Sequence, residues 1–400
     1  MSLHLYKSKG YALLLALLPV IMMYRVPGIG MGVSTVLIAV SMLYAGVVLL
    51  VNFGKIDWRV ILPIVVYFVY VLTKSDVQNM LLCVAIIVHL MAISTGAVDS
   101  AFSRKVIETV SMIAAIGIIL QVFMYYVGGV HIRMINPNMI LDSMDVYENA
   151  IRTGYSQLDR MYRPSAFFLE PSHFSTYCVI GLGSLLFKKK VDYKKALLVT
   201  VGILLTTSGM GFVLVFAMWA WWFLTRNERV RLSNRIIKFV PLIVLLLVAV
   251  FVLAQTSYFG SIIRRFLGTS EGGYNAIWGR TLWWEQYFGE LSTNDLVFGQ
   301  GIGALPEVYF TGFMTQLYAY GSIGVGLLAW FLVNMLFKSR QLPRTHIIMY
   351  MGLFFVSNLT GFIPMIFHFG TIIAVYVELK DAGENRNLKT NGGERDMGEI

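Results

Sequence analysis

Long unbroken apolar runs constrain this chain more than any motif does. Apolar residues dominate near 10–24, 29–52, 60–73, 77–97, 106–128, 173–187, 196–208, 210–225, 236–254 and 313–337, and again over a final block at 345–379. A helix needs about 17–25 such residues to cross the hydrocarbon of a bilayer, and the shorter runs here would have to tilt or re-enter. An outer-membrane barrel is excluded, because its strands alternate apolar and polar residues over about ten positions. The final block is too long for one span, and Asn358, Gly361 and Pro364 near its middle split it into two helices. Composition agrees: 57% of residues are hydrophobic and 14% charged, against about 45–50% and about 25% in soluble domains. The expectation is an all-α polytopic membrane protein with about twelve transmembrane helices in a single domain over 1–379.

Charge orients the spans. With the N-terminus in the cytoplasm, the inner turns carry Lys55 and Arg59, Arg104 and Lys105, Lys188 to Lys190 with Lys194 and Lys195, the basic cluster from Arg226 to Lys238, and Lys338 to Arg344. This satisfies the positive-inside rule at every inner turn and leaves both termini cytoplasmic. Of 14 lysines only Lys74 falls on the outer side. The segment from Met1 to Gly10 leads into the first run with no cleavage pattern, so that run reads as a retained span. The tail over 380–400 is polar and is expected to be disordered.

Two long outer loops, 129–172 and 255–312, break the short-loop pattern. They contain no lysine, yet they hold seven arginines (Arg133, Arg152, Arg160, Arg163, Arg264, Arg265 and Arg280) beside ten acidic residues. The net charge of +10 therefore resides on the inner side. Snorkelling or pairing with the acids accounts for any one of these arginines. As a set they indicate an anionic ligand, since a guanidinium recognises phosphate or carboxylate through two parallel hydrogen bonds.

The richest stretch runs from Arg160 to Ser175. Pro171 suits the first turn of a helix, which puts Glu170 at its cap and His173 in its opening turn, with Arg160 and Arg163 just upstream. The positive end of that helix would face the outer leaflet, where a carboxylate and an imidazole can do acid–base work on a phosphate-bearing substrate. The competing reading is structural: Glu170 satisfies orphan amides and His173 is an interfacial polar residue. In the second loop Trp283, Trp284, Tyr287, Phe288 and Leu291 recur at helical spacing, as in an amphipathic helix at the interface, where aromatics form a belt or stack on sugar rings. The glycine-rich stretch between Asn294 and Pro306 reads as a flexible turn and not as a nucleotide fingerprint, since no strand precedes it.

The remaining signals are weak. Asp142, Asp145 and Glu148 offer the carboxylates of a divalent-cation site, although carboxylates on a polar outer loop are mostly just solvated. His89 and His368 lie within spans, where each either serves function or bonds a neighbouring helix. Cys83 and Cys178 lie in apolar runs and offer neither a disulfide framework nor a metal set. There is no phosphate-binding Walker loop and no zinc-protease motif.

The stretch Arg163-Pro164-Ser165-Ala166-Phe167-Phe168-Leu169-Glu170-Pro171-Ser172-His173-Phe174 resembles the Wzy-type polymerases of O-antigen, capsular and exopolysaccharide assembly. The Gly279-Arg280 and Trp283-Trp284 region, followed by Gly299-Gln300-Gly301-Ile302-Gly303, is similar to the second large outer loop of that family and of the related O-antigen ligases. The resemblance implies a metal-independent, cofactor-free, inverting glycosyltransferase of the GT-C type in the bacterial inner membrane. It would move a growing glycan from undecaprenyl pyrophosphate onto a lipid-linked repeat unit at the outer face, with a chain-length regulator as a further partner and no nucleic acid. On that reading Glu170 and His173 are the catalytic pair. Arg163 and Arg280, then Arg264, Arg265 and Arg160, bind pyrophosphate, and Trp283, Trp284 and Tyr287 contact substrate or interface. A ligase acting on the lipid A core, or a secondary transporter or flippase of an anionic lipid-linked substrate, are the alternatives.

Overall fold

Backbone amides and carbonyls have no water to bond in hydrocarbon, so an apolar chain of this kind satisfies them within helices. The computed structural model describes residues 7–22, 24, 25, 32–132, 134, 162–188, 190–225, 255, 260, 283–306, 308, 310–339, 341–357 and 361–393. Thirteen α-helices and no strand occur among the described residues. They are α1 (Lys9–Ile21), α2 (Val33–Asn52), α3 (Trp58–Leu72), α4 (Val77–Ser94), α5 (Ser100–Tyr126), α6 (Pro171–Leu186), α7 (Tyr193–Leu205), α8 (Gly209–Thr225), α9 (Trp283–Phe288), α10 (Thr293–Phe298), α11 (Gly312–Lys338), α12 (Gln341–Val356) and α13 (Phe362–Gly393). Polar side chains set several starts by accepting an orphan amide: Ser8 for α1, Asp76 for α4, Asp99 for α5 and Thr311 for α11.

Four helical stretches are long and apolar enough to cross a membrane: Val33–Lys55, Ser100–Tyr126, Gly312–Lys338 and Ile363–Lys380. Shorter apolar helices lie at Lys9–Ile21, Trp58–Leu72, Asn79–Ser94 and Gly209–Thr225. The chain is thus a helical, membrane-embedded protein. Apolar surface faces outward as well as inward. Val40, Leu43, Val47 and Leu50 form a stripe on α2 at helical spacing, with Leu50 85% exposed, as suits a face turned to lipid.

The centre of the bundle is α6. Nearly all of its residues are buried, and α5, α7, α8 and α12 pack around it. Small residues bring the axes close, as interhelical packing in membranes favours. A Cβ on Gly181 would strike the hydroxyl of Ser111, and one on Gly202 would lie 2.6 Å from the Cβ of Ala115. The starts of α1, α3, α5 and α7 and the ends of α2, α4, α6 and α8 share one end of the bundle. There Arg104 pairs with Glu378 at 2.9 Å, Lys188 with Glu108 at 2.5 Å and Lys380 with Asp57 at 2.8 Å. We call this the lysine-rich end.

Helix α13 is described as far as Gly393. One feature departs from expectation. The stretch after Asn294 is no flexible turn but contains α10 and a 3₁₀ turn, Ile302–Ala304. The final apolar block breaks between α12 and α13 near Ser357. The apolar run at 236–254 lies outside the described residues.

Candidate functional site

The segment before α6 is held by one polar residue from an otherwise apolar helix. Gln121 of α5 accepts a hydrogen bond from the amide of Ala166 at 2.9 Å and donates one to the carbonyl of Ile132 at 3.1 Å. Tyr162 stacks on Tyr125 with ring centroids 4.1 Å apart and meets His131 edge-on at 5.4 Å. Phe168 packs into the interior against Phe174 and Tyr177. The chain turns at Ala166, whose φ of 51° is unusual for a residue with a side chain. Arg163 sits half-buried on this connection.

Pro171 opens α6 and Glu170 stands at its N-cap with extended backbone (φ −133°, ψ 152°). The Glu170 side chain accepts no amide of the first turn. Instead its Oε2 accepts the hydroxyl of Ser172 at 2.7 Å. The Glu170 carboxylate is thus turned to Ser172 and does not cap the first-turn amides. His173 lies three residues beyond Glu170, within electrostatic reach of its carboxylate. Its Nδ1 is buried and has no hydrogen-bond partner among the described residues. A buried polar atom left so costs about 1–3 kcal/mol, an arrangement seen where a ligand or reacting group completes the set.

A second strained turn borders this helix start. The hairpin joining α7 to α8 is buried, and Thr207 has φ 58°. Its hydroxyl oxygen is enclosed without a partner among the described residues. A Cβ on Gly211, just inside α8, would lie 2.6 Å from the hydroxyl of Ser175 on α6. Ala166 and Thr207 are the only non-glycine residues with positive φ among the described residues. Strain of this kind, about 1–3 kcal/mol each, persists where the surroundings impose it and gathers at functional sites. Sequence reasoning passed over Gln121 and Thr207 as site residues. A lone glutamine within an apolar run was the available signal for the first.

The aromatic group of the second loop forms its own cluster. Trp283 opens α9. Trp284 stacks on Phe288 at 4.3 Å and on Phe313 at 6.2 Å, while Tyr287 meets Phe310 edge-on at 5.7 Å. Phe288, Phe310, Met314 and Tyr318 are its buried centre. No hydrogen bond or ring contact among the described residues joins this cluster to Glu170 or His173.

Below it, the glycine turn docks onto α11. Gly299 (φ 75°) and Gly301 (φ 94°) lead α10 into the 3₁₀ turn, and α11 breaks at Gly321 (φ 65°) to receive it. Gln300 and Gly301 donate their amides to the carbonyls of Tyr318 and Ala319 at 3.0 and 2.8 Å. Lys74, the lysine that departs from the charge rule, ties down the same turn. Its Nζ donates to the Gly299 carbonyl at 3.3 Å, and its own carbonyl accepts the amide of Ile302 at 3.2 Å.

Arg160, Arg264, Arg265 and Arg280 lie outside the described residues, as do Asp142, Asp145 and Glu148. Of the residues expected to bind pyrophosphate, Arg163 is the one whose position is described. The chain matches no family model and no curated protein.

Proposed function

We propose that the chain is a polysaccharide polymerase of the Wzy-like kind, transferring a growing glycan from undecaprenyl pyrophosphate to a lipid-linked repeat unit at the outer membrane face. The observation that carries this reading is the start of α6, where a carboxylate that caps no amide of the first turn stands beside an imidazole whose buried Nδ1 has no hydrogen-bond partner among the described residues. In an inverting displacement the acceptor hydroxyl attacks the anomeric carbon while the bond to the pyrophosphate oxygen breaks. His173 or Glu170 takes the acceptor proton, and the electron pair leaves on the pyrophosphate. The other member of the pair orients the base. A neutral imidazole offers a nitrogen lone pair that can accept that proton.

The departing diphosphate gains charge as the bond breaks, and preorganised cations stabilise it there. Arg163, with Arg280, Arg264, Arg265 and Arg160 of the same two loops, is assigned that role, assisted by the positive end of the α6 dipole. Trp283, Trp284 and Tyr287 are assigned to the interface, where their rings meet lipid or sugar. Transport is the less favoured reading. Among the described residues the helix broken within its length is α11 at Gly321, and that break is filled by the chain's own backbone: a Cβ there would fall on the carbonyl of Val297.

The test is direct. Purified protein is incubated with lipid-linked repeat units in EDTA and the product is resolved on a gel. A ladder of lengths is the expected result. Extension only when a lipid A core acceptor is added would mean a ligase, and transfer to neither acceptor would remove the glycosyltransferase reading.

A further inference from the structure

Helix α12 begins at the lysine-rich end, where Lys338 at the close of α11 donates to the Arg59 carbonyl at 2.8 Å. Just inside that start His346 is 4% exposed, and neither of its ring nitrogens has a hydrogen-bond partner among the described residues. Tyr350 stands four residues further on, which places it on the same face of α12. It is fully buried, and its hydroxyl also has no partner among the described residues. Across from it, buried His368 of α13 meets the Tyr350 ring with centroids 5.3 Å apart and lies within electrostatic reach of His346. A buried polar atom left without a bond costs about 1–3 kcal/mol. Three of them on one face of one helix call for a bonding partner that is not a protein group.

Polar groups continue from this cluster in both directions. Toward the lysine-rich end, His346 lies within electrostatic reach of Arg104 on α5, which pairs with Glu378 of α13 at 2.9 Å. Those two side chains are 22% and 26% exposed, so the pair meets water. Toward the other end, Tyr350 lies within electrostatic reach of Tyr67 on α3. The Tyr67 hydroxyl donates to Gln316 Oε1 on α11 at 2.6 Å, and its ring meets Tyr320 edge-on at 6.5 Å. The Tyr70 hydroxyl, which donates to the carbonyls of Tyr320 and Phe298, brings the series to the Gly299 turn. Side chains of five helices, α3, α5, α11, α12 and α13, thus form one polar file through an apolar bundle.

We propose that this file carries protons through the bundle, with water joining His346, Tyr350 and His368 at its centre. A buried water needs about two to four polar partners, and the unbonded nitrogens and hydroxyl supply them. A neutral imidazole accepts a proton at one nitrogen and releases the proton held at the other, so it gains and loses one proton per passage. The Tyr350 and Tyr67 hydroxyls pass a proton in the same way, accepting one and donating their own. Nothing is oxidised or reduced, and a proton taken up at one end is delivered at the other. Ionisable side chains inside membrane spans mark proton paths built on this principle. Neither Glu170 nor His173 is a member of the file, and the proposal is independent of the glycosyl-transfer reading.

The full chain is reconstituted into sealed liposomes loaded with potassium and a pH-sensitive dye. Valinomycin then sets an inside-negative potential, and internal acidification reports proton entry. Wild-type vesicles are expected to acidify faster than vesicles without protein. His346→Phe and Tyr350→Phe, matched to wild type in unfolding temperature and in amount reconstituted, are expected to lose that difference, because each keeps a ring and removes the proton it would pass. Tyr350→Phe deletes a single oxygen and reports on the relay even if His346→Phe does not fold. The proposal is overturned if wild-type vesicles acidify no faster than empty ones, or if the Tyr350→Phe protein conducts as the wild type does.

Discussion

Two histidines show how the same residue type serves different ends. His89, inside α4, uses both ring nitrogens, Nδ1 with the Ala85 carbonyl at 2.7 Å and Nε2 with the Ser41 hydroxyl at 2.9 Å. It ties α4 to α2 and is structural. His173 keeps a buried Nδ1 without such a partner, beside a carboxylate held by its neighbour Ser172. Sequence spacing made Glu170, Pro171 and His173 legible as a helix start, because proline at the first position fixes the register. It could not tell a capping glutamate from an idle one, since that depends on which way the carboxylate turns. At Arg163 the decisive variant is Arg163→Lys, which keeps charge and loses the fork. Initial polymerisation rates are expected to fall at least about tenfold. An unchanged rate would exclude direct diphosphate contact.

At the scale of elements, the glycine turn was the feature least legible in sequence. Gly299, Gly301 and Gly303 suggested flexibility, but the meaning of the first two is set by a partner element 20 residues on. Gly321 breaks α11 where Gly299 arrives, and each has positive φ beside the other's backbone. Gly321→Ala should therefore destabilise the protein by about 2–5 kcal/mol, the sum of left-handed backbone strain and overpacking. Thermal unfolding in detergent checks this, and a wild-type Tm would contradict the docked turn. The same turn should respond to acid. At the start of α10 the Ser292 hydroxyl donates to Asp295 at 2.6 Å, which holds that carboxyl below its ordinary value. A lowered folded value stabilises above the ordinary aspartate range, near about 3.9, and that support is lost as pH falls through the folded value. The protection of the Gly299 amide, its exchange rate set against the unstructured rate at the same pH, should fall over that acid window, and Asp295→Asn should remove that fall. Protection that stays flat with pH in the wild type would count against the capping box.

For the whole molecule, hydropathy and charge carried most of what was legible. The apolar runs anticipated the helices because a bilayer admits few other structures, and the break at Ser357 follows the cluster of helix-disfavouring residues beyond it. Charge sorted the helix ends, leaving Lys74 as the exception. Its hydrogen bonds to the Gly299 turn supply the reason, which no local pattern could reveal. The orientation has a consequence that can be measured. In sealed inverted vesicles a thiol reagent that does not cross membranes should label Lys55→Cys and spare Lys74→Cys, with the pattern reversed in intact spheroplasts. Equal labelling of both from one side would reject the proposed topology.

The central claim is that the start of α6 performs glycosyl transfer, and its most direct test is the product ladder made by single-residue variants. Wild-type protein, Glu170→Gln and His173→Ala are purified, matched for unfolding temperature, and given the same lipid-linked repeat units. Loss of the acting base is expected to slow extension by about 10²–10⁴-fold, so at least one of the two variants should give no ladder while remaining folded. Wild-type ladders from both would contradict the account.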